Sequence, residues 1–185
     1  MNTQPAPSRF GTIERTPDGG LIRYERLLRF PIGDVWSAIT EPARLAEWWP
    51  PFATEVTVDL RVGGSISFPW PDDDGDDDND GMQTLSFTIL RLEPPRLLEH
   101  SHTGPGSWLR YELEELPEGA GTRLMATYFV PDPDLAVERG DIVGAHYGLD
   151  RLEAALAGQA SPIDRDVFAR LQSAYAERGL ARVPD

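Results

Sequence analysis

The sequence predicts an α+β fold in which a curved antiparallel sheet of about six or seven strands wraps one long helix near the C-terminus. Three observations carry this expectation. Apolar residues alternate with period two through the middle of the chain: Val56, Val58 and Leu60, then Ile66, Phe68 and Trp70, then Leu85, Phe87 and Ile89. Turn chemistry separates these and later runs at short intervals, at Gly63-Gly64, Gly104-Pro105-Gly106 and Pro117-Glu118-Gly119, and such tight connections make neighbouring strands antiparallel. Finally, "IVGAHYGLDRLEAALAG" carries one apolar stripe, Ile142, Ala145, Leu149, Leu152 and Leu156, with Asp141 as its cap and Gly158 as its stop. A sheet with one apolar face and a single long amphipathic helix bury each other best when the sheet curls around the helix. That leaves space between the helix and the concave face.

Each element follows in order. Residues 1–9 are polar and proline-containing and are expected to form a mobile tail. In "GTIERTPDGGLIRYERLLRF", the Pro17-Asp18-Gly19-Gly20 turn between two alternating runs reads as a hairpin. "PIGDVWSAITEPARLAEWWPP" gives two short helices after the first core strand. Val35, Trp36 and Ile39 have helical spacing, Pro42 suits a first turn, and Pro50-Pro51 ends the segment. In "MQTLSFTILRL" the apolar phase slips from Ile89 to Leu90 and Leu92, which predicts a bulge. "RLLEHSHT", "SWLRYELEEL" and "TRLMATYFV" are further strands, and "PDPDLAVERGD" is a connection with one helical turn. An extra C-terminal helix, "DVFARLQSAYAERGL", has Val167, Phe168, Leu171, Ala174 and Tyr175 on its apolar side. It serves either to cover its own domain, the favoured arrangement, or to form a dimer seam. The organisation is a tail at 1–9, one domain at 10–158 and an appended helix and tail at 159–185.

Composition excludes several chemistries. The chain has no cysteine and no lysine, all 17 basic residues being arginine. Disulfides, thiolate nucleophiles, Schiff bases and the phosphate-binding lysine of a P-loop are therefore ruled out. A net charge of −14 argues against nucleic acid and anionic membrane surfaces as partners. No apolar run approaches the length of a bilayer span and the N-terminus has no leader pattern, so a cytoplasmic protein is expected. Seven aspartates fall within residues 72–80. Asp76, Asp78, Asp80 and Gly81 fit positions of a calcium loop, but Phe87 stands where the bidentate glutamate belongs. The stretch 71–81 is read instead as a solvated acidic hairpin loop.

With these elements in place, the chain resembles the START/Bet v 1-like (SRPBCC) helix-grip superfamily, in particular the branch named after the C-terminal domain of the activator of Hsp90 ATPase. The resemblance rests on "FPIGDVWSAITEPARLAEWWPP", "DLRVGG", "LEPPRLLEHSH", "YELEELPEGAGTRLMATYF" and "AHYGLDRLEAALAG". These cover residues from about 20 to 158. The resemblance implies the helix-grip fold, and with it a cavity between long helix and sheet. Where the family commonly has a Trp-His pair at the start of the long helix, this chain has Ala145-His146. His100 and His102 replace frequent aromatics, and Tyr128 stands where histidine is common.

Candidate site residues come from inward strand phase. His100 and His102 share the face of Leu98 and are read mainly as polar cavity wall. With His146 on the edge of the helix stripe, three histidines could converge, a donor set that suits zinc, iron or copper; no metal and no cofactor is nevertheless expected. Trp49, one of the Trp48-Trp49 pair, should face the ligand space while the other packs. Phe68, Trp70, Phe87, Tyr111 and Tyr128 complete the candidate wall. Glu99, Glu112 and Glu114 fall on the outward phase and read as a solvated face.

No sequence motif commits the chain to catalysis. The leading expectation is binding of a small hydrophobic or aromatic molecule. The first alternative is a cyclase- or hydratase-like enzyme using His100, His102 and Tyr128. The second is a protein-interaction module with a chaperone partner. The oligomer is left open between monomer and homodimer.

Overall fold

A computed structural model describes residues 8–50, 55–71 and 82–182. Eight strands form one antiparallel sheet in the order β1-β2-β8-β7-β6-β5-β4-β3. They are β1 (Thr12–Thr16), β2 (Gly19–Leu28), β3 (Thr57–Val58), β4 (Ser65–Pro71), β5 (Met82–Glu93), β6 (Leu97–Ser101), β7 (Trp108–Glu115) and β8 (Thr122–Val130). The count exceeds the expected six or seven because both edges are occupied, one by β1 and the other by the two-residue β3. From β3 to β8 the chain meanders, and β2 closes the sheet by pairing with β8 from Gly20 opposite Val130 to Leu28 opposite Thr122. The register shifts between Ile89 and Arg91, at the point where the apolar phase slips. β4 and β5 remain paired out to Pro71 opposite Met82; the aspartates of 72–80 lie outside the described residues.

The helices are α1 (Ile32–Thr40), α2 (Pro42–Leu45), α3 (Pro133–Arg139), α4 (Asp141–Leu156) and α5 (Arg165–Ala176). Pro42 occupies the first turn of α2, where its missing N–H costs nothing. The expected single turn after β8 is instead the two-turn α3, because the Asp132 side chain accepts from the amides of Asp134 and Leu135. Gly140, at φ 73°, ends α3 and starts α4; only a residue without Cβ takes this left-handed geometry freely. Asp141 therefore lies inside the first turn of α4 rather than capping it, and pairs with Arg139 at 2.8 Å. The core forms where α4 and α1 meet the sheet, with Ile22, Leu98, Leu124, Ile142 and Leu152 all at most 1% exposed. Burying each such side chain is worth about 1.5–3 kcal/mol. Trp36 is only half-buried, at the edge of this core.

The appended helix lies on its own domain. Tyr175 of α5 is fully buried; its hydroxyl accepts the Gly11 amide at 2.8 Å and stands 2.8 Å from Nδ1 of His146. The Phe10 ring meets Tyr175 edge-on at 5.2 Å. Arg9 is likewise anchored, to Asp150 at 2.8 Å and Glu153 at 2.5 Å, which corrects the expected tail at its last residue; residues 1–7 are outside the described part. Glu99 is a further correction. Instead of facing solvent it is 7% exposed, because Arg110 on the neighbouring strand folds over it at 2.5 Å.

Candidate ligand cavity

Between α4 and the concave face of the sheet lies a cavity of about 430 Å³. Its volume comes from small residues. On α4 the side facing it presents Gly144, Ala145 and Gly148, and a Cβ at Gly144 would meet nothing within 4 Å. Opposite, β8 contributes Ala126. A large side chain at any of these positions would fill the space.

The walls are aromatic. Trp49 follows α2 and meets Phe68 of β4 edge-on at 4.5 Å; Phe68 meets Trp70 at 6.0 Å and Phe87 of β5 at 5.7 Å. Trp48 is the packed member of its pair, 3% exposed, with Nε1–H donating to the Ala38 carbonyl at 2.9 Å. Tyr111 and Tyr24 also border the cavity. The Tyr24 hydroxyl donates to the Ile142 carbonyl and so ties β2 to α4.

One end is polar. His102 lies just beyond β6, 4.8 Å from the Tyr128 ring and 5.1 Å from Phe87 between ring centres. Burial, with His100 nearby, pushes its pKa down to about 3, so the imidazole is neutral at pH 7. Its Nδ1 is buried with no hydrogen-bond partner among the described residues. Tyr128 places its hydroxyl 3.4 Å from Thr103 Oγ1, and burial raises its pKa.

The other two histidines are elsewhere. His100 lies one cross-strand position deeper, stacked on Phe87 at 5.7 Å and absent from the cavity lining. Its Nδ1–H donates to the Ser101 carbonyl at 2.7 Å, and burial pushes its pKa down to about 4. His146 faces the opposite side of α4, where Tyr175 and Asp150 take its two nitrogens, at 2.8 and 3.3 Å. The three histidines therefore do not converge, and among the described residues no group of three metal-ligating side chains gathers.

Sequence reasoning also missed part of the lining. Leu85 and Leu109 follow the inward strand phase and could have been found. Arg151, Ile163, Arg165 and Phe168 carry no such signal, because they reach the cavity only when residues 159–164 fold back along α4. That return is fixed by Arg151 Nε, which donates to the Ser161 carbonyl at 3.0 Å, and by the Asp164 amide, which donates to the Tyr147 hydroxyl at 2.7 Å.

Residues 29–157 match the family described as activator of Hsp90 ATPase homolog 1-like protein. This span is well over half of the chain and includes the whole sheet from β3 to β8 together with α1 to α4. The chain belongs to that family. Among similar solved structures, CalU16 from Micromonospora echinospora is 28% identical, with a TM-score of 0.65 over 93% of this chain and 97% of its own. A Bordetella parapertussis protein is 27% identical, with a TM-score of 0.63 over 95% and 94%. The AHSA1-like protein from Aeromonas hydrophila, 22% identical, shares the fold at a TM-score of 0.61 over 75% of this chain and 92% of its own. No curated protein matches the sequence significantly. Among the described residues no helix is long and apolar enough to cross a membrane.

Proposed function

We propose that this chain binds a small hydrophobic or aromatic molecule between α4 and the sheet. The observation that carries this reading is the cavity itself, about 430 Å³ and walled by Trp49, Phe68, Trp70, Phe87, Tyr111 and Tyr128. Sites for small molecules commonly span roughly 300–1,000 Å³ and pair apolar walls with a few polar groups. His102 and Tyr128 supply those groups at one end and orient a polar part of the ligand. His100 supports the wall from behind Phe87, and His146 serves the packing of α5. The protein is read as cytoplasmic and as working without metal or cofactor.

A catalytic reading would rest on His102, the one histidine at the cavity. An imidazole with a pKa of about 3 takes up protons poorly near neutrality, which favours binding over turnover. A chaperone-docking role, suggested by the family's name, would use the outer surface and be indifferent to the cavity. The test is a thermal-shift screen of small aromatic amphiphiles against the wild type and Ala145→Phe. Compounds that bind only the native state raise its melting temperature, and Ala145→Phe, by filling the space, should erase every such shift. Shifts that persist unchanged in the filled variant would defeat the cavity reading.

A further inference from the structure

We propose that the ligand carries an anionic group, a carboxylate or a comparable acid, and that Arg151 is its counter-ion. This rests on the reading of the cavity as a ligand site and specifies the class of molecule. Arg151 is 8% exposed and lines the cavity. Its Nε is engaged by Ser161, which leaves the four N–H bonds of Nη1 and Nη2. Among the described residues no carboxylate pairs with it.

Arg26, the other buried arginine, shows the ordinary solution. It donates to the Arg9 carbonyl at 2.8 Å and lies 3.4 Å from Asp150. A buried cation without such compensation is costly. Burial lowers the pKa of Arg151 as it does that of Arg26, but only at Arg26 do carboxylates oppose it.

The polarity of the cavity runs along α4. Asp141, Gly144, Gly148 and Arg151 recur at helical spacing on one face, so the two charged residues stand about 15 Å apart along the axis. Asp141 is neutralised by Arg139 at 2.8 Å; Arg151 is not neutralised. Arg165, at the start of α5, also borders the cavity and has no ion pair among the described residues. An amphipathic acid would place its rings or chain against Trp49 and Phe68 and its charge at the arginine end.

The experiment uses two fluorescent probes of nearly the same shape, anilinonaphthalene sulfonate and the uncharged N-phenylnaphthylamine, titrated at one-to-one stoichiometry into the wild type and Arg151→Met. The wild type is expected to bind the sulfonate about tenfold more tightly than the neutral probe, as charge-assisted hydrogen bonds allow. Arg151→Met should remove that preference, the sulfonate losing about tenfold more affinity than the neutral probe. Equal affinities in the wild type would overturn the inference even if the variant failed to fold. A parallel loss of both probes in Arg151→Met would also overturn it, showing the arginine to be only a strut for Ser161. Neutral-probe binding without a preference defeats this inference alone, whereas binding of neither probe defeats the cavity reading as well.

Discussion

His100 is buried and His102 half-buried, both as neutral imidazoles, and their removal from water makes folding depend on pH. Unfolded, each titrates near 6.5; in the fold the values fall to about 4 and about 3. Between the unfolded and folded values the unfolded chain binds more protons, so stability rises with pH and is lost as pH drops below about 6.5. At pH 5 the cost relative to pH 7 is on the order of 2 kcal/mol per histidine. Denaturant unfolding across this range should show the decline, and His102→Gln should make it shallower; an unchanged slope would mean that His102 is accessible to water. Tyr175 is a residue of the same kind, a buried group with its partners met. Its hydroxyl takes the Gly11 amide and faces His146, so Tyr175→Phe should cost roughly 1–3 kcal/mol through the orphaned amide and imidazole. Chemical denaturation measures this directly, and a loss below about 0.5 kcal/mol would show that water replaces the hydroxyl.

Among the elements, α4 is the one that both builds the core and shapes the cavity. Gly144 lies in the first turn of α4, with helical backbone and open space beyond it. Gly144→Ala should therefore stabilise the protein by about 0.5–1 kcal/mol from helix propensity alone, read as a rise in melting temperature. A destabilised variant would show that the position needs glycine for close packing. The same helix explains what could be read from the sequence. Strand phase identified Phe68, Phe87 and Tyr128, and the slip after Ile89 located the bulge, because a pleated strand puts alternate residues on one face whatever packs there. For α4 a single stripe was an incomplete guide, since the sheet covers one side and α5 another. His146, at the stripe's edge, thus turned towards Tyr175 instead of the cavity. Glu99 and Arg151 were illegible for a related reason: each is buried by a neighbouring segment that returns across a turn, Arg110 in one case and the 159–163 return in the other.

At the scale of the whole molecule, two segments outside the family's common span brace the fold against each other. Arg9, Phe10 and Gly11 at the start of the described chain meet α5 and the outer face of α4, and the segment leading into α5 brings Ile163 and Phe168 to the cavity. The family frame therefore gains an added wall, and the chain retains a cavity between that wall, α4 and the aromatic sheet. The function proposed for this chain depends on ligand binding in this cavity. Its most direct test is native mass spectrometry of the purified wild type and of Ala145→Phe, each incubated with a mixture of aromatic amphiphiles and compared with its denatured mass. The prediction is one organic molecule retained per wild-type chain, released on denaturation and absent from Ala145→Phe. Unliganded chains in both samples, or equal retention by both, would contradict it.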